Sequence, residues 1–161
     1  MAEDSGLRKL ELNDNGSKRV AIPSDVKNTL PYTVDGKGKK RLEPLRVTIS
    51  PSGDYICLFE PAKFEKWADA FLNSLFEGGF ESSNTKHAYT QSVLYNEAPL
   101  VTPDGNGRVN IPANMCEAAG FGSEVKQPFV VGDHIQIWAP DRWEKVHNEI
   151  DIPSLVANRS K

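Results

Sequence analysis

From Phe64 onward, apolar residues fall at Phe64, Trp67, Ala68, Phe71, Leu72 and Leu75. Steps of three and four lay such residues along one face of an α-helix. A shorter stripe, Trp143, Val146 and Ile150, marks a second helix near the C-terminus. A weaker pattern over Asn84–Tyr95 predicts a central helix, followed by a loop at Asn96–Ala98. Elsewhere the chain alternates short β-rich runs with turn residues, the pattern of strands and hairpins. Strands are predicted at Arg8–Leu12, Leu45–Ile49, Tyr55–Phe59, Pro99–Thr102, Phe129–Val131 and His134–Trp138. The stretches PSGD and Gly132-Asp133 turn the two hairpins. Two further runs end in Ile22-Pro23 and Ile111-Pro112, each leading to a short helix. Ser24 is a residue type that caps the first of these. Pro112 suits the first position of the second, and Gly120 its C-terminal end.

The elements recur in order. YICLFEPAKFEKW (Tyr55–Trp67) aligns with HIQIWAPDRWEKV (His134–Val146), and KRVAIPSDV (Lys18–Val26) with GRVNIPANM (Gly107–Met115). Two matched blocks in the same order point to a tandem duplication. The interval from Arg19 to Ile56 exceeds that from Arg108 to Ile135 by about ten residues, and the basic stretch Gly36–Leu45 lies in it. The expected organisation is a first half over residues 1–80, a connecting helix and loop over 81–98, and a second half over 99–161. A half with four short strands has little core of its own. The halves are therefore expected to interlock into one pseudo-twofold unit. The fold class expected is α+β, mainly β, a β-barrel with peripheral helices.

The formal charge of −3 argues against indiscriminate nucleic-acid binding. Its distribution is uneven: residues 1–50 carry ten Lys/Arg against seven Asp/Glu, and the remainder nine against fifteen. Local patches matter more than the sum. No apolar run has the roughly 20 residues of a membrane span, and the N-terminus lacks a signal-peptide core. Cys57 and Cys116 lack metal-ligand spacing and sit among apolar residues, so they read as buried free thiols in a reducing cytoplasm. His87, His134 and His147 have no metal spacing, and no nucleophile elbow or P-loop occurs, so neither an enzyme nor a cofactor is expected. Phe59, Trp67, Trp138 and Trp143 read as core or subunit-interface aromatics.

The stretch Asp104-Gly105-Asn106-Gly107-Arg108 carries the most specific chemistry. A guanidinium fork bonds O6 and N7 of guanine together in the major groove. An Asp four residues earlier can accept loop N–H groups and pair with that fork, fixing its direction. Gly107 lets the turn sit close to a groove or a phosphate. The first half presents Asn15, Lys18 and Arg19 at the matching places, with Asn15 for the Asp and Lys18 for the Gly. Lys39 and Lys40, with Lys37 and Arg41, form a basic loop suited to phosphate contact; the alternative is a solvated connector. Each Asp–Arg pair could equally serve only to staple its turn.

With this loop in two copies, each running into a strand that ends near Pro, the chain resembles the MraZ family of bacterial transcriptional regulators. These are tandem relatives of the AbrB and MazE swapped-hairpin domains. The resemblance covers the hairpins, Trp138 and the Asp141-Arg142-Trp143 helix start, nearly the whole chain. It implies a swapped-hairpin fold, double-stranded DNA as partner, a cytoplasmic, nucleoid-associated location and a ring-shaped homo-oligomer, with no membrane and no small-molecule cofactor. The alternative on the same fold is an antitoxin-like protein-interaction module with weak or lost DNA binding.

Overall fold

The computed structural model describes residues 6–150 together with Pro153. The outer ends of the two expected halves lie outside the described residues. The first half contributes β1 (Leu7–Lys9), β2 (Glu11–Leu12), β3 (Lys18–Ala21), α1 (Ser24–Lys27), β4 (Tyr32–Val34), β5 (Lys40–Leu42), β6 (Leu45–Ile49), β7 (Ile56–Phe59) and α2 (Pro61–Leu75). The central helix α3 spans Thr85–Asn96. There follow β8 (Leu100–Val101), β9 (Arg108–Ile111), α4 (Ala113–Ala118), β10 (Glu124–Lys126), β11 (Phe129–Val131), β12 (His134–Ile137) and α5 (Pro140–Glu149).

The strands of the two halves pair with one another. β3 runs antiparallel to β9, and β7 to β12. In both pairings a residue faces its own counterpart in the duplication, Val20 opposite Val109 and Cys57 opposite Gln136. An antiparallel pair centred on matching residues is the arrangement that a twofold relation between two copies produces. β1 of the first half pairs with β10 of the second, and β8 of the second with β6 of the first. The principal core draws on both halves, from Val20, Ile22, Leu45 and Ile56 to Val109, Ile111, Met115 and Ile137.

A closed barrel does not form. The described strands make four separate sheets: β11-β12-β7-β6-β8, β2-β3-β9, β1-β10 and β4-β5. Strands of two to five residues are too short to tilt and close around a core, so open edges remain. Pro128, which has no N–H to give to a ladder, falls in the break between β10 and β11. The expectation of a mainly β fold also fails, because helical residues outnumber strand residues among those described.

β7 is buried on both faces. Its alternate side chains point to opposite sides of the sheet: Ile56 and Leu58 enter the principal core, and Cys57 and Phe59 a second cluster beneath α2 and α3. The stripe on α2 supplies Phe64, Ala68 and Leu72 to that cluster, whereas Leu75 at its end is half exposed. Burial pushes the Cys57 thiol up to about 12, helped by the charge of Asp133, and Cys57 and Cys116 are both buried free thiols. Trp138 stacks on Tyr55 and meets Trp143 edge-on, as packed rather than free aromatics.

The helix ends refine the sequence expectations. α1 and α4 both start after a proline in extended conformation, Pro23 and Pro112, so Ser24 lies within its helix and Pro112 one place before. Neither start has a side-chain cap. Gly120 ends α4 as expected, with φ of 73°. The Phe121 N–H donates to the Cys116 carbonyl and the Gly120 N–H to Glu117, the paired bonds of a glycine-terminated helix. The central helix starts where expected, with Asn84 accepting from the N–H groups of Lys86 and His87.

Candidate nucleic-acid interface

The three-stranded sheet β2-β3-β9 has one buried and one outward face. Val20, Val109 and Ile111 point into the core. Strand alternation then sends Arg19, Arg108 and Asn110 to the other side. Arg19 lies opposite Asn110, and Arg108 opposite Ala21, two positions along. Glu11, opposite Arg19 on β2, completes the row. One arginine from each half thus meets on a single polar surface.

The turn that carries Arg108 is tightly built. The Asp104 N–H donates to the Arg108 carbonyl and the Gly107 N–H to the Asp104 carbonyl, both at 2.9 Å. One oxygen of Asp104, Oδ1, accepts the N–H groups of Asn106 and Arg108, each at 2.9 Å. The other, Oδ2, accepts Arg108 Nε at 2.8 Å. Burial pushes the Asp104 carboxyl up, but these donors outweigh it and hold it below the ordinary carboxylate range. Arg108 Nη1 donates to both oxygens of Glu11, at 3.0 and 2.7 Å. Glu11 and Asp104 accordingly keep the guanidinium firmly protonated.

Arg19 is held more loosely. Its Nη1 stands 3.7 Å from Glu11 and 4.0 Å from Asp104, and its Nη2 donates to Asn13 at 3.3 Å. The two arginines therefore share two carboxylates, and the cluster is nearly neutral. Arg108 is 28% and Arg19 36% exposed at the side chain.

The other residues singled out in the sequence are distributed less simply. Two more residues separate Gly16 from Pro23 than Gly107 from Pro112. The first turn consequently lies two residues further back. Asn13, not Asn15, takes the corner that Asp104 holds: its N–H donates to the Ser17 carbonyl, and its own carbonyl accepts from Gly16. Asn15 sits inside the turn, and its Oδ1 accepts the N–H and hydroxyl of Ser17. Lys18 points away from the arginine face and donates to the carbonyls of Phe121 at 3.0 Å and Gly122 at 2.7 Å. Lys39 and Lys40 belong to the β4–β5 hairpin, both exposed. Sequence reasoning missed Glu11, Asn13, Asn110 and Lys27. Glu11 and Asn13 had no motif; Asn110 lay within the matched block Gly107–Met115 and Lys27 one residue past the block Lys18–Val26, both unremarked.

Gly107 has φ of 77°, and a Cβ there would stand 2.5 Å from Lys27 Cδ. A side chain disfavours this left-handed conformation by roughly 1–2 kcal/mol. Gly107→Ala is expected to lower stability in urea unfolding by about that amount. Gly105→Ala, with ordinary φ and open space, is expected to stay within about 0.5 kcal/mol of the parent. Equal effects would refute this account of the turn.

Among the described residues no group of three or more His, Cys, Asp or Glu is placed to hold a metal ion, and no helix is long and apolar enough to cross a membrane. The family model for the MraZ protein, described as antitoxin-like, matches residues 94–159. A transcriptional regulator MraZ of Bacteroides fragilis is 34% identical over 144 residues, which cover 89% of this chain and 82% of that protein. One of Roseiflexus sp. is 38% identical over 72 residues, 43% of this chain and 48% of its own length. One of Roseiflexus castenholzii is 35% identical over 72 residues, with the same coverage. With a second-half loop that fits the family motif, a duplicated strand order and a relative that aligns along most of its length, the chain belongs to the MraZ family.

Proposed function

We propose that the chain is a sequence-specific DNA-binding transcriptional regulator, acting in the cytoplasm at the nucleoid. The relatives are named as transcriptional regulators, and the family is not one of enzymes. The observation that carries the reading is the convergence of Arg19 and Arg108 on one outward sheet face, with Glu11 and Asp104 fixing the direction of Arg108. Arg108 uses Nε and Nη1 on carboxylates; among the described residues its Nη2 has no hydrogen-bond partner. That donor and a re-aimed Nη1 suit a guanine edge. Arg19 adds a second fork. Lys39 and Lys40 add charge for phosphates. The halves act as one intertwined pair of swapped-hairpin repeats, and copies assemble into a ring that sets several such faces on one duplex.

The test is a duplex titration at several salt concentrations, with the mass of the free protein followed by light scattering. Each phosphate neutralised steepens the log–log slope by about 0.9. A steep slope and a mass of several chains are expected. A flat slope would overturn DNA binding, and a monomeric mass the ring. The mutual pairing of both arginines with carboxylates favours a second reading, an antitoxin-like module that docks a protein through this face. A flat slope with a multimeric mass is its signature.

A further inference from the structure

The extra stretch in the first half is not a loose connector. Asp35-Gly36-Lys37-Gly38-Lys39 rebuilds the Asp104–Arg108 turn. The Asp35 N–H donates to the Lys39 carbonyl and the Gly38 N–H to the Asp35 carbonyl, both at 2.9 Å. Asp35 Oδ1 accepts the N–H groups of Lys37 at 2.8 Å and Lys39 at 2.9 Å, and its Oδ2 accepts Arg41 Nε at 3.2 Å. Gly38 has φ of 79° where Gly107 has 77°. A turn latched this way loses less entropy on binding than a free lysine loop.

The hairpin also reaches the other turn. A cleft of about 260 Å³ is lined by Lys27, Lys40, Leu42, Asp104, Gly105 and Gly107. Lys27 crosses over Gly107, where the missing side chain leaves it room. Lys40 Nζ stands 4.2 Å from the centroid of the Tyr32 ring, which holds the ammonium without neutralising it. Asp104, the acid in the cleft, already has its oxygens engaged by two N–H groups and Arg108. An anion entering there meets a cleft lined by two lysines and a carboxylate that is already compensated.

We propose that Lys27 and Lys40 form a clamp for one phosphodiester of the DNA backbone, beside the base that Arg108 reads. The inference rests on the DNA-binding reading above. The clamp sets register and affinity without choosing sequence, because ammonium groups are point charges suited to phosphate rather than to base edges.

The experiment titrates the full chain, Lys27→Ser, Lys40→Ser and the double variant against a duplex selected from random DNA and a scrambled duplex, across salt concentrations. Lys27→Arg with Lys40→Arg serves as the charge-retaining control, and circular dichroism checks folding. The double serine variant is expected to weaken both duplexes by the same factor and to lower the salt slope by about 0.9 per engaged site. The arginine pair is expected to keep the parent slope. An unchanged slope in the double serine variant, or a loss confined to the selected duplex, overturns the clamp. If Lys27→Ser disturbs the turn beneath it, Lys40→Ser alone decides, since Lys40 lies on the exposed hairpin. Absence of salt-dependent binding by the unmodified chain is a different result: it overturns the DNA reading itself, and the clamp with it.

Discussion

Arg108→Ala is expected to cost roughly 1–3 kcal/mol of binding per engaged site and to flatten discrimination between a selected and a scrambled duplex. The magnitude follows from loss of a bidentate base contact made by Nη2 and a re-aimed Nη1, on a guanidinium whose Nε Asp104 holds. Three bonds of 3.0 Å or less hold the Arg108 guanidinium. Arg19 is held only by contacts of 3.3–4.0 Å, so it enters the complex with more freedom to lose. Arg19→Ala should therefore weaken both duplexes more evenly and lower the salt slope. Folding is expected to survive both changes, because ion pairs at partly exposed side chains contribute little. Equal losses of discrimination would mean that the two loops read DNA alike. Unfolding of Arg108→Ala would show that the cluster with Glu11 and Asp104 is a structural staple.

Phe64→Ala is expected to be the most damaging of the substitutions considered, at about 3–5 kcal/mol in denaturant unfolding. Phe64 is fully buried and joins α2 to the sheet and to α3. Its ring meets Phe59 and Tyr95 edge-on, at 5.5 and 5.1 Å, and lies 5.4 Å from the Arg46 guanidinium carbon. Arg46 donates to the Ala98 carbonyl, so the same cavity would loosen the link between β6 and the segment leading to β8. Leu75→Ala, on the same stripe but half exposed, should cost under about 1 kcal/mol. Similar losses at both positions would mean that the second cluster is not a close-packed core.

Much of the fold was legible because its signals are local. The stripe on α2, Pro112 beside the start of α4, the start of α3 next to Asn84 and Gly120 as a helix end each depend on a few neighbouring residues. The matched blocks were legible as well, and two of their matched residues, Val20 and Val109, face each other across β3 and β9. Arg108, Asp104 and Gly107 form the latched turn expected of their spacing, since an aspartate accepting N–H groups within four residues is a local arrangement.

Other features waited on long-range pairing. The matched blocks assigned Asn15 to the corner of the first turn. Two extra residues before Pro23 instead put Asn13 there, a shift that strand register decides. Lys18 and Arg19 are neighbours, but alternation sends them to opposite faces, and only the position of Phe121 and Gly122 makes Lys18 a partner of carbonyls. Barrel closure failed because very short strands pair piecemeal, which no periodicity announces.

What the sequence determined by itself was most of the elements, its matched blocks and the chemistry of one turn, all encoded in residues close along the chain, whereas β4, β5 and β10 were not among the predicted strands. Only the tertiary structure decided which charges meet: Glu11 reaches Arg108 across 97 positions, and Lys40 reaches the Asp104 turn from an inserted hairpin. The physical reason is that a carboxylate or an ammonium carries no mark of its partner until packing of the shared core has set the strands side by side.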